Sequence, residues 1–156
     1  MFDLQTRIRK GGFFLTAGKK PNPMTIGWGQ LGVMWRKDVF IVPVRDCRFT
    51  HSLLEEDMEF TVSIPYEGEM SEGLKIAGTL SGKDCDKWKE GKLTPVKAKS
   101  VNTAIVDGCE YYYECKVIAK FDTTADLIDK EITDFWYKNG GYHTLYVGEI
   151  KEFYKN

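Results

Sequence analysis

The chain has 156 residues, the usual size of one domain, and a chain of this length buries a core without needing disulfide staples. Its formal net charge of −1 argues against a nucleic-acid binder or a polybasic membrane anchor. Hydrophobic residues at 42% and charged residues at 29% are typical of a soluble globular protein, and no apolar run approaches the roughly 20 residues that span a bilayer.

The first 18 residues, MFDLQTRIRKGGFFLTAG, lack an apolar core long enough for a signal peptide, so we expect a cytoplasmic protein. The cysteines fit that location because none of them forms a C-x-x-C pair; they are Cys47, Cys85, Cys109 and Cys115. With His51 and His143 as the two histidines, we expect no zinc site.

Two strands are predicted first, at residues 11–17 (GGFFLTA) and 23–30 (PMTIGWGQ). Glycines in the second indicate a bulge or a close approach of the backbone to something else. The overlapping stretch GWGQLG, residues 27–32, matches the G-x-G-x-x-G of a dinucleotide-binding turn. Only Val33 to Lys37 separate it from the next apolar run, whereas a crossover helix needs about a dozen residues, so we reject a Rossmann-type unit.

Short helices and further strands follow in the middle of the chain. A third strand is predicted at 38–45, where Pro43 cannot donate to a ladder and must lie at an edge, a bulge or the strand end. The remaining elements of this part are a helix at 50–58, a fourth strand at 59–65, and helical segments within 69–82 and 84–91.

The clearest pattern is a period-two alternation over 109–121, which predicts a long, half-buried antiparallel strand. One face carries Cys109, Tyr111, Tyr113, Cys115, Val117, Ala119 and Phe121, and the other Glu110, Tyr112, Glu114, Lys116, Ile118 and Lys120. A short helix and a glycine turn within 123–141 lead to a last strand at 142–154. Six or so strands without βαβ alternation predict an antiparallel barrel or sandwich, and we expect a barrel with helices at its ends in a single domain, 1–156.

The run RDCRFTHSLLEED, residues 45–57, contains a candidate anion site. Arg45 and Arg48 precede a predicted helix start at Thr50, His51 and Ser52, where unpaired N–H groups favour an anion. Ser52-x-x-Glu55 has the spacing of a capping box. The alternative is an ordinary capped helix with two solvated arginines. Cys47, between the arginines, is either a reactive thiol or a small buried hydrophobe.

Two further polar features are left open at this point. SGKDCDKW, residues 81–88, brings Ser81, Gly82, Lys83 and Lys87 near a helix start, and this is either a ligand-binding cluster or a capped surface helix. His143 follows Gly140-Gly141 and opens the last strand, where it has either a catalytic or a structural role.

Five segments in this order resemble the flavin reductase-like family, over about residues 11–150. They are N-x-M-T-x-x-W (Asn22, Met24, Thr25, Trp28), R-x-x-R-F-T (Arg45, Arg48, Phe49, Thr50), SGKDCDKW, the strand from Glu114 to Val117, and YHTLYVGEI. The histidine directly after R-F-T resembles the flavoredoxin-like branch. The resemblance implies a mainly β fold with short helices, an antiparallel six-stranded Greek-key split β-barrel of the FMN-binding type.

The resemblance also implies a non-covalent FMN site and a homodimer with FMN near its interface. The predicted cofactor-binding residues are Met24, Thr25, Ile26, Gly27, Trp28, Arg45, Cys47, Arg48, Thr50, His51, Ser81, Gly82 and Lys87. Residues 24–28 are expected to line the flavin largely through backbone groups, and Arg45, Arg48, Thr50 and His51 to hold its phosphate. His143 is the candidate catalytic residue, matching a family histidine placed near the nicotinamide.

The implied function is an NAD(P)H-dependent flavin reductase that passes electrons through FMN to a small molecule or a redox protein. One departure concerns the residue before His143, which is Tyr142 where many reductases of the family have Asp. The alternative is therefore a flavoredoxin-like electron carrier reduced by a protein partner. A third class, a barrel that binds a small ligand without redox chemistry, predicts no retention of FMN.

Overall fold

The computed structural model describes residues 4–156, which form short helices around β-strands. The helices are α1 (Leu4–Gly11), α2 (Phe49–Asp57), α3 (Ser71–Thr79), α4 (Lys87–Glu90) and α5 (Lys130–Trp136), with a 3₁₀ turn at Ala125–Leu127. The strands are β1 (Phe13–Ala17), β2 (Asn22–Ile26), β3 (Gln30–Met34), β4 (Lys37–Arg45), β5 (Glu59–Ile64), β6 (Pro95–Lys97), β7 (Ala104–Val106), β8 (Tyr111–Asp122) and β9 (His143–Lys155). Within 4–156, no helix is long and apolar enough to cross a membrane.

Seven strands form one antiparallel sheet in the order β2-β1-β5-β8-β9-β4-β3, and β6 pairs with β7 in a separate hairpin. The expected class, mainly β with short helices and an antiparallel sheet, is confirmed. The strand number differs from the expected six because β3 and the β6–β7 hairpin were not predicted. Helix α1 was not predicted either.

The turn between β3 and β4 explains why β3 escaped prediction. Trp35 and Arg36 are its two central residues, and both have positive φ, 51° and 59°. Two-residue hairpin turns of this kind favour Asn-Gly or Asp-Gly, so Trp-Arg gives no turn signal in the sequence. Because Gly32 lies inside β3, no helix opens from the G-x-G-x-x-G stretch, and the rejection of a Rossmann-type unit is confirmed.

Pro43 lies where β4 has a strand on one side only. It pairs with Leu145 of β9, while the ladder to β3 ends at the pair Gln30–Ile41. Of the three predicted alternatives for Pro43, an edge, a bulge or the strand end, the structure shows an edge.

Apolar side chains from β1, β2, β4, β5, β8 and β9 meet in one buried cluster, so the sheet curls around a common core. Its largest fully buried members include Tyr146, Phe13, Phe40 and Phe60. A second cluster, which includes Phe14, Leu74, Val106 and Tyr112, lies under α3 and β7 on the outer face of the sheet.

This second layer corrects the prediction of a half-exposed β8. Tyr112 and Glu114, both expected on the polar face, are buried. Glu114 accepts hydrogen bonds from the backbone N–H groups of Lys99 (2.9 Å) and Ser100 (2.6 Å), and from the hydroxyls of Ser100 (2.7 Å) and Tyr154 (2.8 Å). Beyond Cys115, Lys116, Ile118 and Lys120 are not buried, as expected, and Val117 is buried. Phe121, predicted on the apolar face, is 50% exposed, because the ladder to β5 ends at the pair Glu59–Lys116 and this end of β8 pairs with β9 alone.

The predicted capping box at the start of α2 is wrong. The helix begins at Phe49 with Arg48 as its N-cap, and no side chain caps it. Ser52 lies inside the helix and its Oγ donates to the Phe49 carbonyl (2.7 Å). Glu55 instead accepts from Lys120 and from the Tyr146 hydroxyl (2.7 Å).

Candidate functional site

Two adjoining surface depressions contain nearly all of the predicted site residues. The first, here the tryptophan depression, has a volume of about 190 Å³ and is lined by residues 24–28, Arg45, Arg48, Trp136 and His143, among others. The second, here the helix depression, has a volume of about 100 Å³ and is lined by Cys47, Thr50, Ser81, Gly82 and Lys87, among others. Both are lined by Met24, Arg48 and Gly78, so they form one bipartite site.

In the part of the chain that the structure describes, all the charged side chains that line this site are cationic. Its walls carry the cationic side chains of Arg45, Arg48 and Lys87, whereas no Asp or Glu among residues 4–156 lines either depression. A cationic concavity without carboxylates favours an anionic ligand.

Arg48 is the charged group best placed to receive such a ligand. Its side chain is exposed, borders both depressions, and makes no hydrogen bond or ion pair with another residue of the described chain. Arg48 is also the N-cap of α2, whose first backbone N–H groups have no intrahelical acceptor. The guanidinium and the helix start therefore offer donors to the same small volume.

Thr50 lies in the floor of the helix depression and is 1% exposed. Its Oγ1 accepts a hydrogen bond from the Asn22 side-chain amide (3.0 Å), which leaves the hydroxyl proton available for donation. Gly82 permits this arrangement, because a Cβ there would overlap Asn22 and lie 2.9 Å from Phe49 Cδ1. Asn22 belongs to the motif identified in the sequence, but its contact with Thr50 was not predicted.

Lys87 contributes a buried ammonium group to the same depression. It is 5% exposed, and its Nζ donates to the carbonyls of Pro23 (3.1 Å) and Ala77 (2.8 Å). Burial lowers the pKa of Lys87 to about 8, with Cys85 raising it and Arg48 lowering it. Since an ammonium has three donors, one N–H is left for a ligand.

Arg45, which was predicted to hold the phosphate, lines the tryptophan depression and also makes contacts within the chain. Its guanidinium donates to the carbonyls of Trp136 (3.0 Å) and Gly141 (3.1 Å) and lies 5.3 Å from the ring of Tyr137. These bonds hold the segment between α5 and β9 against the tryptophan depression. The contribution of Arg45 to the site is therefore structural as well as electrostatic.

His51 is the predicted site residue that the structure does not bring to either depression. Its Nε2 lies 3.0 Å from Thr144 Oγ1, which itself donates to Asp122 Oδ1 (2.7 Å). Because the Thr144 proton goes to Asp122, Nε2–H of His51 is the donor in the first bond. The bond ties α2 to β9 and so fixes the helix whose N-terminus borders the site.

Aromatic side chains and His143 form the wall of the tryptophan depression. Trp28 is 40% exposed, and its ring centroid lies 4.8 Å from that of His143 and 5.0 Å from that of Trp136. The Tyr137 hydroxyl lies 2.6 Å from His143 Nδ1. Burial, with Arg45 and Arg48 adding to it, lowers the pKa of His143 to about 4, so the imidazole is neutral at pH 7.

Gly27 lies between the aromatic wall and β2. A Cβ at this position would meet no atom within 4 Å, and its φ lies outside the left-handed region. Nothing in the fold of the described chain therefore requires glycine here, and the missing side chain leaves room for a ligand to approach the backbone.

Two residues at the rim of the helix depression complete the predicted set. Cys47 is exposed, so the alternative of a small buried hydrophobe is wrong. Ser81 forms a turn, in which its carbonyl accepts from the N–H groups of Asp84 (3.1 Å) and Cys85 (3.2 Å). The cap of α4 is Asp86, which accepts from Trp88 and Lys89.

Comparison with known proteins shows which family this chain matches. The family model described as flavin reductase like domain matches residues 6–156. A protein from Archaeoglobus fulgidus described as uncharacterized is 33% identical over 132 residues, which cover 85% of this chain. The chain spans less than two thirds of that relative, namely 64% of its length.

Two solved structures illustrate the shared fold. The flavoredoxin from Methanosarcina acetivorans has a TM-score of 0.74 and 22% identity, over 94% of this chain and 69% of that one. An FMN-binding protein from Thermus thermophilus with bound 1-cyclohex-2-enone has a TM-score of 0.71 and 21% identity, over 93% and 70%. At these identities the likeness establishes the fold.

Proposed function

This chain belongs to the flavin reductase-like family, and on that premise we propose that it is an FMN-binding oxidoreductase whose bipartite site holds one FMN. The observation that carries the proposal is the pairing of an aromatic-walled depression with a smaller cationic one that no carboxylate of residues 4–156 lines. A flat ring joined to a phosphate matches this pair in shape and charge.

The phosphate is assigned to the helix depression. Arg48 supplies charge-assisted donors, Thr50 supplies a hydroxyl proton, and Lys87 supplies its third N–H. The first amides of α2 add unpaired N–H groups and the positive end of the helix dipole.

The ring is assigned to the tryptophan depression. The backbone of residues 24–28 approaches it from one side, with Gly27 leaving the space that a side chain would fill. Trp28 offers an aromatic surface and His143 a neutral imidazole. FMN supplies the redox chemistry when it is bound, and the chain's own residues bind it, orient it and limit the access of water.

We assign NAD(P)H as the electron donor, which is the donor implied by the resemblance to flavin reductases. The exposed edge of Trp28 leaves the tryptophan depression open to a small molecule. The assignment is tested by adding NADH or NADPH to the FMN-loaded protein without oxygen and following the flavin absorbance. Flavin that stays oxidised with both nucleotides contradicts it.

A flavoredoxin-like electron carrier is the second candidate, and one observation favours it. Tyr142 replaces the carboxylate that precedes the histidine in many reductases of the family. This candidate predicts that reduced redox proteins reduce the bound FMN while NADH and NADPH do not.

We also propose a homodimer that covers the rim of the tryptophan depression. Helix α5 has no buried residue, and it exposes Ile132 (49%), Phe135 (74%) and Trp136 (46%) on spacings typical of one helix face. Trp136 lines the depression, so a second copy packed on this face would also shield the ring.

The phosphate assignment is tested by the double variant Arg48→Ala/Thr50→Ala. Each lost contact is typically worth about 1–3 kcal/mol, so we expect FMN affinity to fall by at least about tenfold. The matched control is Arg36→Ala, because Arg36 is an exposed arginine at the β3–β4 turn. Titration with FMN under fluorescence detection measures both. Unchanged affinity in the double variant rules out this phosphate site.

A further inference from the structure

We propose that Tyr137 is a positioning residue that keeps His143 in the neutral tautomer with its proton on Nε2. The tryptophan depression then contains an uncharged hydrogen-bond donor directed at a lone-pair atom of its ligand. The identity of that ligand rests on the proposed function, whereas the tautomer rests on contacts within the chain.

The direction of the hydrogen bond between the two side chains follows from the bonds available to Tyr137. Its hydroxyl lies 2.6 Å from His143 Nδ1, and the residue is 8% exposed. The hydroxyl has one proton, and no other hydrogen bond of this hydroxyl exists within residues 4–156. If Nδ1 carried the proton and donated it, the Tyr137 proton would be buried without an acceptor. The hydroxyl therefore donates to Nδ1, and the imidazole proton lies on Nε2.

The second ring nitrogen faces the open depression. His143 lines that depression, and its ring lies 4.8 Å from the ring of the partly exposed Trp28. Nε2 has no hydrogen-bond partner within residues 4–156. In this part of the chain, the buried side-chain nitrogen and oxygen atoms that lack a partner are all threonine hydroxyls, so Nε2 is not buried but accessible from the depression. Its proton is therefore available to a ligand.

Tyr137 is held in place by groups from several elements. Its ring stacks on Tyr142, with centroids 4.6 Å apart and planes 9° apart, and the Arg45 guanidinium lies 5.3 Å from it. Its backbone N–H donates to the Thr133 carbonyl (3.0 Å) at the end of α5, and its carbonyl accepts from Gly140 (3.0 Å). A side chain restrained in this way can fix the orientation of the imidazole.

The charges around His143 favour a donor over an acid. Arg45 of β4 and Arg48 before α2 disfavour the imidazolium, and Asp46 is the acidic residue that favours it. Tyr137 is a neutral phenol and gives the imidazolium no counter-charge. His143 thus polarises a carbonyl oxygen or ring nitrogen by hydrogen bonding and keeps its proton.

Long-range ¹H–¹⁵N spectra of the histidine side chains test this proposal without any activity. The chain has two histidines, so the variant His51→Gln assigns the remaining signals to His143. At neutral pH we expect Nδ1 of His143 to be unprotonated and Nε2 to be protonated. A protonated Nδ1, or a cationic ring, overturns the proposal.

The role of Tyr137 is tested by Tyr137→Phe with Tyr142→Phe as the matched control. We expect the first to give a mixture of both His143 tautomers and the second to keep the wild-type tautomer. If Tyr137→Phe keeps the wild-type tautomer of His143, the positioning role of Tyr137 is overturned. If this variant does not fold, the spectrum of the wild-type protein still shows which nitrogen of His143 carries the proton. FMN titration of the same samples is separate, because failure to bind FMN contradicts the proposed function and leaves the tautomer result intact.

Discussion

Lys87 is a buried cation held by two backbone carbonyls, and its proton is part of the proposed phosphate site. Burial lowers its pKa to about 8, below the usual 10.5. The unfolded chain therefore binds more protons than the folded one between about pH 8 and 10.5, so this group contributes stability at high pH that is lost as the pH falls through that window. A bound phosphate favours the charged form and offsets the cost of burying it.

FMN affinity is therefore expected to fall as the pH rises through the pKa of Lys87. Titrations with FMN between pH 7 and 9.5 measure it, and riboflavin, which lacks the phosphate, is the matched ligand. We expect the decline with FMN and not with riboflavin, and we expect Lys87→Met to abolish it. An identical pH dependence for both ligands contradicts the contact between Lys87 and the phosphate.

Gly27 and Gly32 form a natural pair for testing the ring assignment. A Cβ at either position meets no atom within 4 Å, and neither has a positive φ. Gly27 lines the tryptophan depression, whereas Gly32 lies in β3 and lines neither depression. The two alanine variants should therefore differ only where a ligand is involved.

We expect Gly27→Ala to leave the free energy of unfolding of the ligand-free protein within about 0.5 kcal/mol of wild type, because the new methyl group meets open space. The same variant should weaken FMN binding by about tenfold or more through overlap with the ring. Gly32→Ala should change neither quantity. Equal FMN affinity for wild type and Gly27→Ala would contradict the close approach of the ring to this backbone.

The low pKa of His143 predicts that the free energy of unfolding depends on pH. Its folded pKa of about 4 lies below the ordinary 6.5, so the unfolded state binds more protons between these values. Stability contributed by the neutral imidazole is complete above about pH 6.5 and is lost as the pH falls toward 4. Denaturant unfolding of wild type and His143→Gln at pH 7 and pH 5 should show a smaller loss in the variant. Parallel losses in both proteins would contradict a low pKa.

Strand β8 shows at the element scale how a buried carboxylate organises a loop. Glu114 is fully buried and accepts hydrogen bonds from two consecutive backbone N–H groups, those of Lys99 and Ser100. It thereby fixes the segment between β6 and β7 on the outer face of the sheet. Hydrogen bonds to a charged acceptor are the stronger ones in proteins.

Glu114→Gln is expected to lower the free energy of unfolding by about 2–4 kcal/mol. The N–H groups of Lys99 and Ser100 bond different carboxylate oxygens, so the amide nitrogen turns a donor toward one of them, and the bond to the remaining oxygen loses its charged acceptor. The matched control is Glu152→Gln, since Glu152 is exposed and pairs with Glu114 across the ladder to β9. Denaturant unfolding measures both. A loss no larger than that of the control contradicts the role of Glu114 in holding the loop.

The elements that the sequence predicted are those whose signals are local. Period-two alternation located β8, and apolar runs bounded by turn residues located β1, β2, β4, β5 and β9. The order of the motifs located residues 24–28, Arg48, Thr50 and Lys87, which the structure brings to one bipartite site. β3 was missed because its turn uses Trp35-Arg36, whose positive φ values are imposed by the hairpin and not by glycine or asparagine.

Other features depended on contacts between distant residues. The burial of Glu114 follows from the β6–β7 segment packing over the sheet, and the commitment of Arg45 to Trp136 and Gly141 follows from where α5 ends. His51 lies next to Thr50 in sequence, but it faces Thr144 across the helix, since adjacent residues of a helix point in different directions. No pattern within the sequence reports such pairs.

At the scale of the whole molecule, the unpartnered face of α5 lies beside the candidate site. Phe135 is 74% exposed and Trp136 connects the helix to the tryptophan depression. A dimer that uses this face would bury apolar surface and shield the site together.

We expect the protein to be a dimer in solution, measured by light scattering after size exclusion, and Phe135→Ser to weaken the dimer. Trp35→Ser is the matched control, because Trp35 is 60% exposed at the tip of the β3–β4 hairpin. A wild-type protein that is monomeric at all concentrations contradicts the dimer. An equal effect of both variants contradicts the assignment of the α5 face.

The most direct test of the proposed FMN site is the visible absorbance spectrum of the purified protein, with the released chromophore identified by mass. We expect a yellow protein that carries FMN at about one per chain, either as purified or after addition of FMN. A colourless protein that also fails to take up added FMN would contradict it.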